Sequence, residues 1–166
     1  MVFAKESEFE EEFIKVLESC GWDDKGGVLR HPSESDLIDN WAQILFENNK
    51  EIDRLNGCPL TDSEMAQILE QVRAHRTPYA LNSFINGKTV AVTRDNPDGD
   101  LHYGKEVSLK IYDRAEIAGG QSRYQIAQQP HFSAKTKMLP DRRGDVMLLI
   151  NGMPVIHVEL KRSGVS

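Results

Sequence analysis

The sequence predicts an α/β (α+β) fold in which helices pack on a mixed sheet of about five strands. The hydrophobic period is helical in the first half of the chain and changes to two from about residue 80 onward. Two Asn-Gly steps in the second half, at 86–87 and 151–152, are typical of tight turns between antiparallel strands. A chain of 166 residues with 39% hydrophobic residues can bury one substantial core, so we expect a single domain over residues 1–166.

Three helices are predicted in the first half. The stretch "ESEFEEEFIKVLESC" has apolar residues at helical spacing and ends at Gly21, and its Ser7 and Glu10 have the spacing of a capping box. A second helix is expected over about 34–50, where apolar residues again repeat at helical spacing. The third follows Thr61, which stands three residues before a glutamate in a second capping box.

Strands are predicted in the second half, where apolar and polar residues alternate. The stretch "SFINGKTVAVT" is typical of a hairpin about its Asn-Gly step, and "EVSLKIYD" and "SRYQIAQQ" are further strands. The stretches "DVMLLI" and "PVIHVELK" are predicted to form an antiparallel pair, joined by a loop of three or five residues centred on Gly152.

The charge is unevenly distributed along the chain. The net charge of −6 argues against a nucleic-acid binder that depends on overall charge. Residues 1–70 hold 6 Lys and Arg against 17 Asp and Glu, which gives −11, whereas residues 121–166 hold 7 against 3, which gives +4. The basic part therefore coincides with the last predicted hairpin. An alternative is that its basic residues are solvated strand ends; they are Arg142, Arg143, Lys161 and Arg162.

Nothing in the composition indicates a membrane span or a disulfide framework. The longest apolar run, "VMLLI", is far below the roughly 20 residues that a membrane span needs. The N-terminus becomes acidic where a signal peptide would be apolar. Cys20 and Cys58 are too few and too far apart for a zinc site, and we interpret both as ordinary thiols. We expect a cytoplasmic protein with no membrane partner.

The last hairpin is predicted to bring acidic residues together. If cross-strand partners sum to 304, Asp145 lies opposite Glu159, with Cβ atoms about 5 Å apart. Like charges repel at this distance, and a divalent cation such as Mg²⁺, which prefers carboxylate oxygens, would offset the repulsion. Lys161 lies two residues after Glu159 and shares its face, as does His157. The sequence therefore predicts two carboxylates and an ammonium at one strand end.

This arrangement resembles the signature of the PD-(D/E)XK nuclease superfamily, here Asp145 followed by Glu159-Leu160-Lys161. The wider stretch "RGDVMLLINGMPVIHVELKRSGV" closely resembles the N-terminal nuclease domain of the restriction (motor) subunit of type I restriction-modification enzymes. Upstream, "VSLKIYDRAEIAGGQSRYQIAQQPHF" is similar to the strand, loop and strand of that family, and "ESEFEEEFIKVLESCGW" is similar to its opening helix. Residues 23 to 80 carry none of the resemblance.

The resemblance implies a restriction-endonuclease-like mixed central sheet flanked by helices, and metal-assisted hydrolysis of DNA phosphodiester bonds. Asp145, Glu159 and the Leu160 carbonyl would hold Mg²⁺, with Mn²⁺ as a possible substitute. Lys161 would orient the attacking water and stabilise charge in the transition state. Glu10 resembles the helix glutamate that lends a further carboxylate to this site, and the alternative is that it serves only the capping box.

The resemblance also implies partners outside this chain. In the family the nuclease domain continues into a helix bearing Gln-x-x-x-Tyr and then into an ATP-driven translocase, so we expect this chain to be a fragment and ATP to bind only in the motor. The expected partners are double-stranded DNA and the methyltransferase and specificity subunits, and unmodified foreign DNA would be cut after translocation. The Pro140-Asp141 pair competes with Asp145 for the metal, but its register would place it beyond Lys161.

Two other classes of function stay open at this point. One is a non-catalytic assembly module of the same complex, which would lack the aspartate or the lysine, and this chain has both. The other is a stand-alone nuclease of the superfamily, such as a junction resolvase, which typically has a more basic surface.

Overall fold

The chain folds as two compact units. The computed structural model describes residues 6–22, 27–75, 77, 80, 83–84, 87–97, 101–112, 120, 122–133 and 142–161. One unit comprises Met1–Ile38 with Arg123–Ser166, and the other comprises Asp39–Ser122. In chain order the described elements are α1 (Glu6–Ser19), β1 (Leu29–Arg30), α2 (Glu34–Asn48), α3 (Asp62–Ala74), β2 (Thr89–Thr93), β3 (Glu106–Lys110), β4 (Tyr124–Gln128), β5 (His131–Phe132), β6 (Arg142–Arg143), β7 (Val146–Ile150) and β8 (Met153–Val158).

The first unit is built on a four-stranded mixed sheet in the order β1-β4-β7-β8. β1 runs parallel to β4, and the other neighbours are antiparallel. The core of this unit lies between the sheet and α1, and its buried members are Ile14, Ile126, Val146 and Leu148, with Phe13, Leu17, Trp22, Val28 and Val158 packed around them. β5 and β6 form a separate antiparallel pair.

The helix α1 has the predicted C-terminus but not the predicted N-terminal cap. Gly21, at φ 90°, donates its N–H to Glu18 O, and the Trp22 N–H reaches back to Leu17 O, which is the hydrogen-bond pattern of a Schellman motif. Ser7 lies inside the helix, which already includes Glu6, so the predicted capping box at Ser7 is wrong.

The turn between β7 and β8 is shorter than predicted. Asn151 and Gly152 alone connect the strands, with φ of 50° and 80°, and two positive φ values in a two-residue loop define a type I′ turn. The predicted loop of three or five residues is therefore wrong in length. Asn151 also donates its N–H to Arg123 O and accepts the Arg123 N–H at its side-chain oxygen, which ties the turn to the start of β4.

A β-bulge in β8 restores the predicted register at the far end of this hairpin. Next to the turn the pairs are offset by one residue from the prediction, because Leu149 lies opposite Pro154. Val155 is the extra residue, since Leu148 already pairs with Ile156. Beyond the bulge the partners sum to 304 as predicted, and this offset decides which residues flank the open end of the hairpin.

The second unit contains α3 and the two-stranded β2-β3 sheet, together with most of α2. Thr61 caps α3 in the predicted capping box with Glu64, whose carboxylate accepts the Thr61 N–H at 3.0 Å. The same buried carboxylate accepts a 2.7 Å hydrogen bond from Arg94, and both side chains are fully excluded from solvent. α2 has a cap that was not predicted, in which Ser33 and Asp36 exchange hydrogen bonds.

The predicted hairpin around residues 86–87 is wrong, because the described residues before it, Ser83 and Phe84, are helical. Phe84 is helical, and Gly87, at φ 90°, donates its N–H to Phe84 O while Lys88 donates to Ser83 O. These contacts are those of a helix C-terminus. β2 begins after the step and pairs with β3 instead.

The predicted α+β class is confirmed, although its strands are divided differently from the expectation. About five strands were expected in one mixed sheet, whereas four form the sheet of the first unit and β2-β3 form a sheet in the second. Among the residues that the structure describes, no helix is both long enough and apolar enough to cross a lipid bilayer.

Candidate functional site

The candidate site lies at one end of the four-stranded sheet of the first unit. The last registered row crosses the sheet from Arg30 in β1 to Gln128 in β4, then to Val146 in β7 and Val158 in β8. Neighbouring strands lie about 4.8 Å apart, so this row is about 14 Å wide. The residues that flank the row in β7 and β8 carry the predicted chemistry.

Asp145 directly precedes β7, and its carboxylate contacts the segment that follows β8. Its Oδ2 accepts the Leu160 N–H at 2.6 Å, and Leu160 stands between Glu159 and Lys161. Asp145 is half-buried, whereas Glu159 and Lys161 are exposed. Because Val146 pairs with Val158, the next residues outward are Asp145 and Glu159, the two that the sequence predicts to face each other.

The predicted metal ligands are the carboxylates of Asp145 and Glu159 and the Leu160 carbonyl. Within the described part of the chain, no group of three or more His, Cys, Asp and Glu side chains is arranged to hold a metal ion. The convergence of Asp145, Glu159 and Glu10 on one ion therefore stays a prediction. Asp141 of the competing Pro-Asp pair lies outside the described residues.

Glu10 is a buried carboxylate on the sheet-facing side of α1. It is one helical turn before the core residue Ile14 and is only 4% exposed. Its Oε1 accepts a 2.7 Å hydrogen bond from Gln128 Nε2, and both of its oxygens accept from Gln129 Nε2, at 3.0 and 3.1 Å. Its carboxylate is thus directed at the end of β4.

Two consecutive glutamines hold this carboxylate because the backbone departs from strand geometry at the second of them. Side chains alternate along a strand, but Gln129 has a left-handed φ of 50°, which allows both amides to reach Glu10. Gln129 also donates its backbone N–H to Asp145 O at 2.7 Å. Gln129 therefore contacts both the helix carboxylate and the residue that precedes β7.

The other end of each glutamine amide contacts an arginine. Gln128 Oε1 accepts from Arg30, and Gln129 Oε1 accepts from Arg143 of β6. Arg30 also forms a 2.9 Å ion pair with Glu11. The hydrogen bond from Arg30, and then that from Gln128, holds the pKa of the Glu11 carboxyl below its ordinary value.

His157 lies against a glycine beside the site. A Cβ placed on Gly144 would come within 2.5 Å of His157 Nε2, so the imidazole lies directly over the Gly144 backbone. Gly144 is buried and immediately precedes Asp145. The close approach of the imidazole gives a physical reason for a glycine at this position.

The glutamine pair and its arginines were not among the predicted site residues. The available signal was "QIAQQ", in which the last residue of a buried strand and the residue after it are both polar, a pattern that alternation does not explain. Arg143 entered the prediction only as a candidate solvated strand end. Its contact with Gln129 depends on a fold that brings the end of β4 beside β6.

Taken together, the fold and the site define an α+β protein whose sheet end carries acidic residues from a hairpin and from a helix. The chain belongs to the family described as type I restriction enzyme R protein N terminus, whose model matches residues 4–166.

Curated relatives carry names of the same kind. Over 169 aligned residues, the chain is 31% identical to the endonuclease subunit of the type I restriction enzyme SsaAORF53P from Staphylococcus saprophyticus. It is 28% identical to the corresponding subunit of the enzyme SauMSSORF170P from Staphylococcus aureus. Each alignment covers 99% of this chain and 16% of the relative, so the chain spans a small part of the length of these proteins.

Proposed function

We propose that this chain is the metal-dependent DNA endonuclease region of a type I restriction enzyme. The observation that carries the proposal is the hydrogen bond between the Asp145 carboxylate and Leu160 N–H, which links the aspartate to the Glu159-Leu160-Lys161 segment. The names of the relatives, which are endonuclease subunits, support the same reaction class.

The donor atoms at this sheet end suit a hard divalent cation. The carboxylates of Asp145 and Glu159 and the Leu160 carbonyl are oxygen donors, and Mg²⁺ binds through one or two carboxylates while it keeps several waters. Mn²⁺ accepts the same donors. When bound, the ion supplies Lewis-acid polarisation of a DNA phosphate and a lower pKa for a bound water.

The residues around the donor atoms would orient the metal ligands and the attacking water, and would stabilise charge on the phosphate. The Leu160 N–H restrains rotation of the Asp145 carboxylate, which presents that carboxylate in a defined direction. Lys161 would orient the attacking water, and its ammonium would stabilise the negative charge that develops on the phosphate, a contribution of roughly 3–4 kcal/mol for one well-placed donor. Glu10, clamped by the two glutamine amides, would add a fixed negative charge beside the cation site.

The rest of the reaction would take place outside this chain. In the proposed enzyme, phosphodiester bonds of unmodified foreign double-stranded DNA are hydrolysed after ATP-driven translocation by the remainder of the R protein. Methyltransferase and specificity subunits would complete the assembly and select the DNA. ATP would be consumed in the motor and would not contact the residues described here.

Substitution of Lys161 tests the proposed role in the complete R protein assembled with its partner subunits. We expect Lys161→Ala to abolish DNA cleavage while ATP hydrolysis and translocation stay close to wild type, because the motor does not use this site. Cleavage of a circular plasmid and phosphate release would be followed in the same reactions.

A matched control is Lys15→Ala, which removes an exposed lysine of α1 and should leave both activities unchanged. Loss of cleavage and ATP hydrolysis together in the Lys161 variant, with the complex failing to assemble, would favour a non-catalytic assembly module. Wild-type cleavage by Lys161→Ala would contradict the proposed role of this lysine.

A further inference from the structure

The tandem glutamines join the buried acid to two exposed cations. Gln128 connects Glu10 to Arg30, and Gln129 connects Glu10 to Arg143. The two connections run side by side from one carboxylate on α1 to two guanidinium groups. No residue of the proposed catalytic set takes part in them except Glu10.

The direction of both amides is determined by their partners. A carboxylate accepts hydrogen bonds and donates none, so each glutamine must present its NH₂ group to Glu10. The amide oxygen then points away from Glu10 and can only accept, and arginine is a donor with no acceptor atom. Glu10 therefore orients the arginines through the glutamines and does not pair with either one directly.

The two arginines flank the same sheet end as Asp145. Arg30 belongs to the last registered row, in β1, two strands away from β7. Two strand spacings are about 10 Å, a separation on the scale of that between nearby phosphates of one strand of a duplex. Arg143 stands two residues before Asp145 and pairs with His131 across β5-β6.

Each guanidinium is anchored mainly through one nitrogen. In the contacts of the described residues, Arg30 uses NH1 for both Gln128 and Glu11. Arg143 uses NH2 for Gln129, and the same nitrogen lies 3.4 Å from His31 Nδ1. A guanidinium has five N–H groups in a planar fork. A guanidinium that is held through one nitrogen can use its other N–H groups to donate to the oxygens of a phosphate.

The charge balance differs between the two arginines. Arg30 has an acidic partner, Glu11, and both side chains of this pair are about half exposed. Among the residues that the structure describes, Arg143 has no carboxylate partner. Its positive charge is thus neutralised less than that of Arg30, and Arg143 should make the larger contribution to binding an anion.

We propose that Arg30 and Arg143 bind backbone phosphates of the DNA strand beside the cleaved bond, and that the Glu10-Gln128-Gln129 cluster positions them. This inference rests on the proposed function, since it takes DNA as the substrate. It assigns to Glu10 a role in orienting DNA-binding groups in addition to its predicted place near the cation. These arginine–phosphate contacts would not discriminate between base sequences.

Binding of a short fluorescent DNA duplex to the 166-residue chain in EDTA tests the proposal without any need for catalysis. Arg143→Gln should lower the association constant at low salt about tenfold and Arg30→Gln about threefold, at every duplex sequence tried. Each should reduce the slope of log K against log salt by about 0.9, the value expected for the loss of one phosphate contact. Arg143→Lys should keep the wild-type slope because it keeps the charge.

The matched control is Lys15→Gln, which removes one positive charge from an exposed position of α1 in the same unit. It should leave the slope unchanged, and thermal unfolding of every variant would show that the fold is retained. Equal effects of Lys15→Gln and Arg143→Gln, an unchanged slope in both arginine variants, or no binding by the wild-type chain at low salt would each overturn the proposal.

Failure of the proposed function would look different. Asp145→Asn in the complete enzyme should lose cleavage while the 166-residue chain with the same substitution still binds DNA in EDTA. If Asp145→Asn leaves cleavage intact but the arginine variants reduce the slope of log K against log salt, the phosphate contact is supported and the catalytic role of Asp145 is contradicted.

Discussion

At the scale of single residues, Glu10 is a buried acidic side chain that accepts hydrogen bonds from two amides among the described residues. Burial of an isolated carboxylate costs several kcal/mol, so the group must be hydrogen-bonded or neutralised. Gln128 and Gln129 supply three contacts to it, and hydrogen bonds to charged groups contribute about 1.5–3 kcal/mol each. The arrangement explains why a glutamate is tolerated on the face of α1 that also carries Ile14.

Replacement of Glu10 by its amide should therefore destabilise the chain. Glu10→Gln would turn one of its two acceptors into a donor that faces the NH₂ groups of the glutamine pair, at a cost of about 1–3 kcal/mol. Urea unfolding would measure the loss. Glu8→Gln, an exposed change on the same helix, should stay within about 0.5 kcal/mol of wild type. Equal stability of the two variants would contradict the buried amide clamp.

The Arg30–Glu11 contact predicts a dependence of stability on acid pH. Because Arg30 holds the pKa of Glu11 below the ordinary value of 4.5, the unfolded chain takes up the proton first as the pH falls. The contribution of Glu11 is fully present above about pH 4.5 and is lost as the pH falls through the lower folded-state value. The difference in urea midpoint between wild type and Glu11→Gln should shrink over that window. A difference that stays constant from pH 6 to pH 3 would contradict the assignment.

At the scale of secondary-structure elements, the sequence predicted the alternation of the strands and the register of the last hairpin. It did not predict which structure each Asn-Gly step would form. The same dipeptide forms a type I′ turn at Asn151-Gly152 and ends a helical segment at Gly87. Both roles require positive φ, so local chemistry alone does not distinguish them. What distinguishes them is the partner strand: β8 pairs back onto β7, but β2 pairs onward with β3.

The turn makes a testable contribution to the hairpin. Gly152 has a φ of 80°, a conformation that costs an L-residue roughly 1–2 kcal/mol, so Gly152→Ala should lower the free energy of unfolding by about that amount. Chemical unfolding in urea would measure it. Unchanged stability would mean that the turn is not under this backbone constraint.

The bulge at Val155 explains why the predicted register of Asp145 with Glu159 is correct although the predicted loop length is wrong. A two-residue turn alone would pair residues that sum to 303 and would offset Asp145 from Glu159. The extra residue in β8 returns the sum to 304, which the longer predicted loop had given by another route. Pro154 in "MPVIHV" is compatible with an edge strand or a bulge, but it does not locate the extra residue before the pairing is known.

At the scale of the whole molecule, the sequence indicated the fold class and the acidic hairpin but not the long-range polar contacts. The parallel pairing of β1 with β4 joins residues 98 positions apart, and β1 is only two residues long. The glutamine pair can make its side-chain hydrogen bonds only when α1, β1 and β6 are packed around it. Contacts of this kind carry no local periodicity, so they are the part of the site that the sequence left out.

The whole-chain charge places a further condition on the proposed function. A net charge of −6 means that non-specific electrostatic attraction to DNA is weak, so the local cations must be well placed for binding to occur at all. A divalent cation at Asp145 and Glu159 would also reduce the local negative charge that a phosphate must approach. Cation binding is therefore central to the proposed function.

Thermal unfolding of the chain with increasing Mg²⁺ or Mn²⁺ tests that claim most directly. A ligand that binds only the folded state stabilises it by RT ln(1 + [L]/Kd), about 2.7 kcal/mol at 100 times Kd. We predict that the melting temperature of wild type rises with the cation, that Asp145→Ala abolishes the rise, and that Asp39→Ala, an exposed carboxylate on α2, retains it. An equal rise in Asp145→Ala, or no rise in wild type, would contradict a cation site at this end of the sheet.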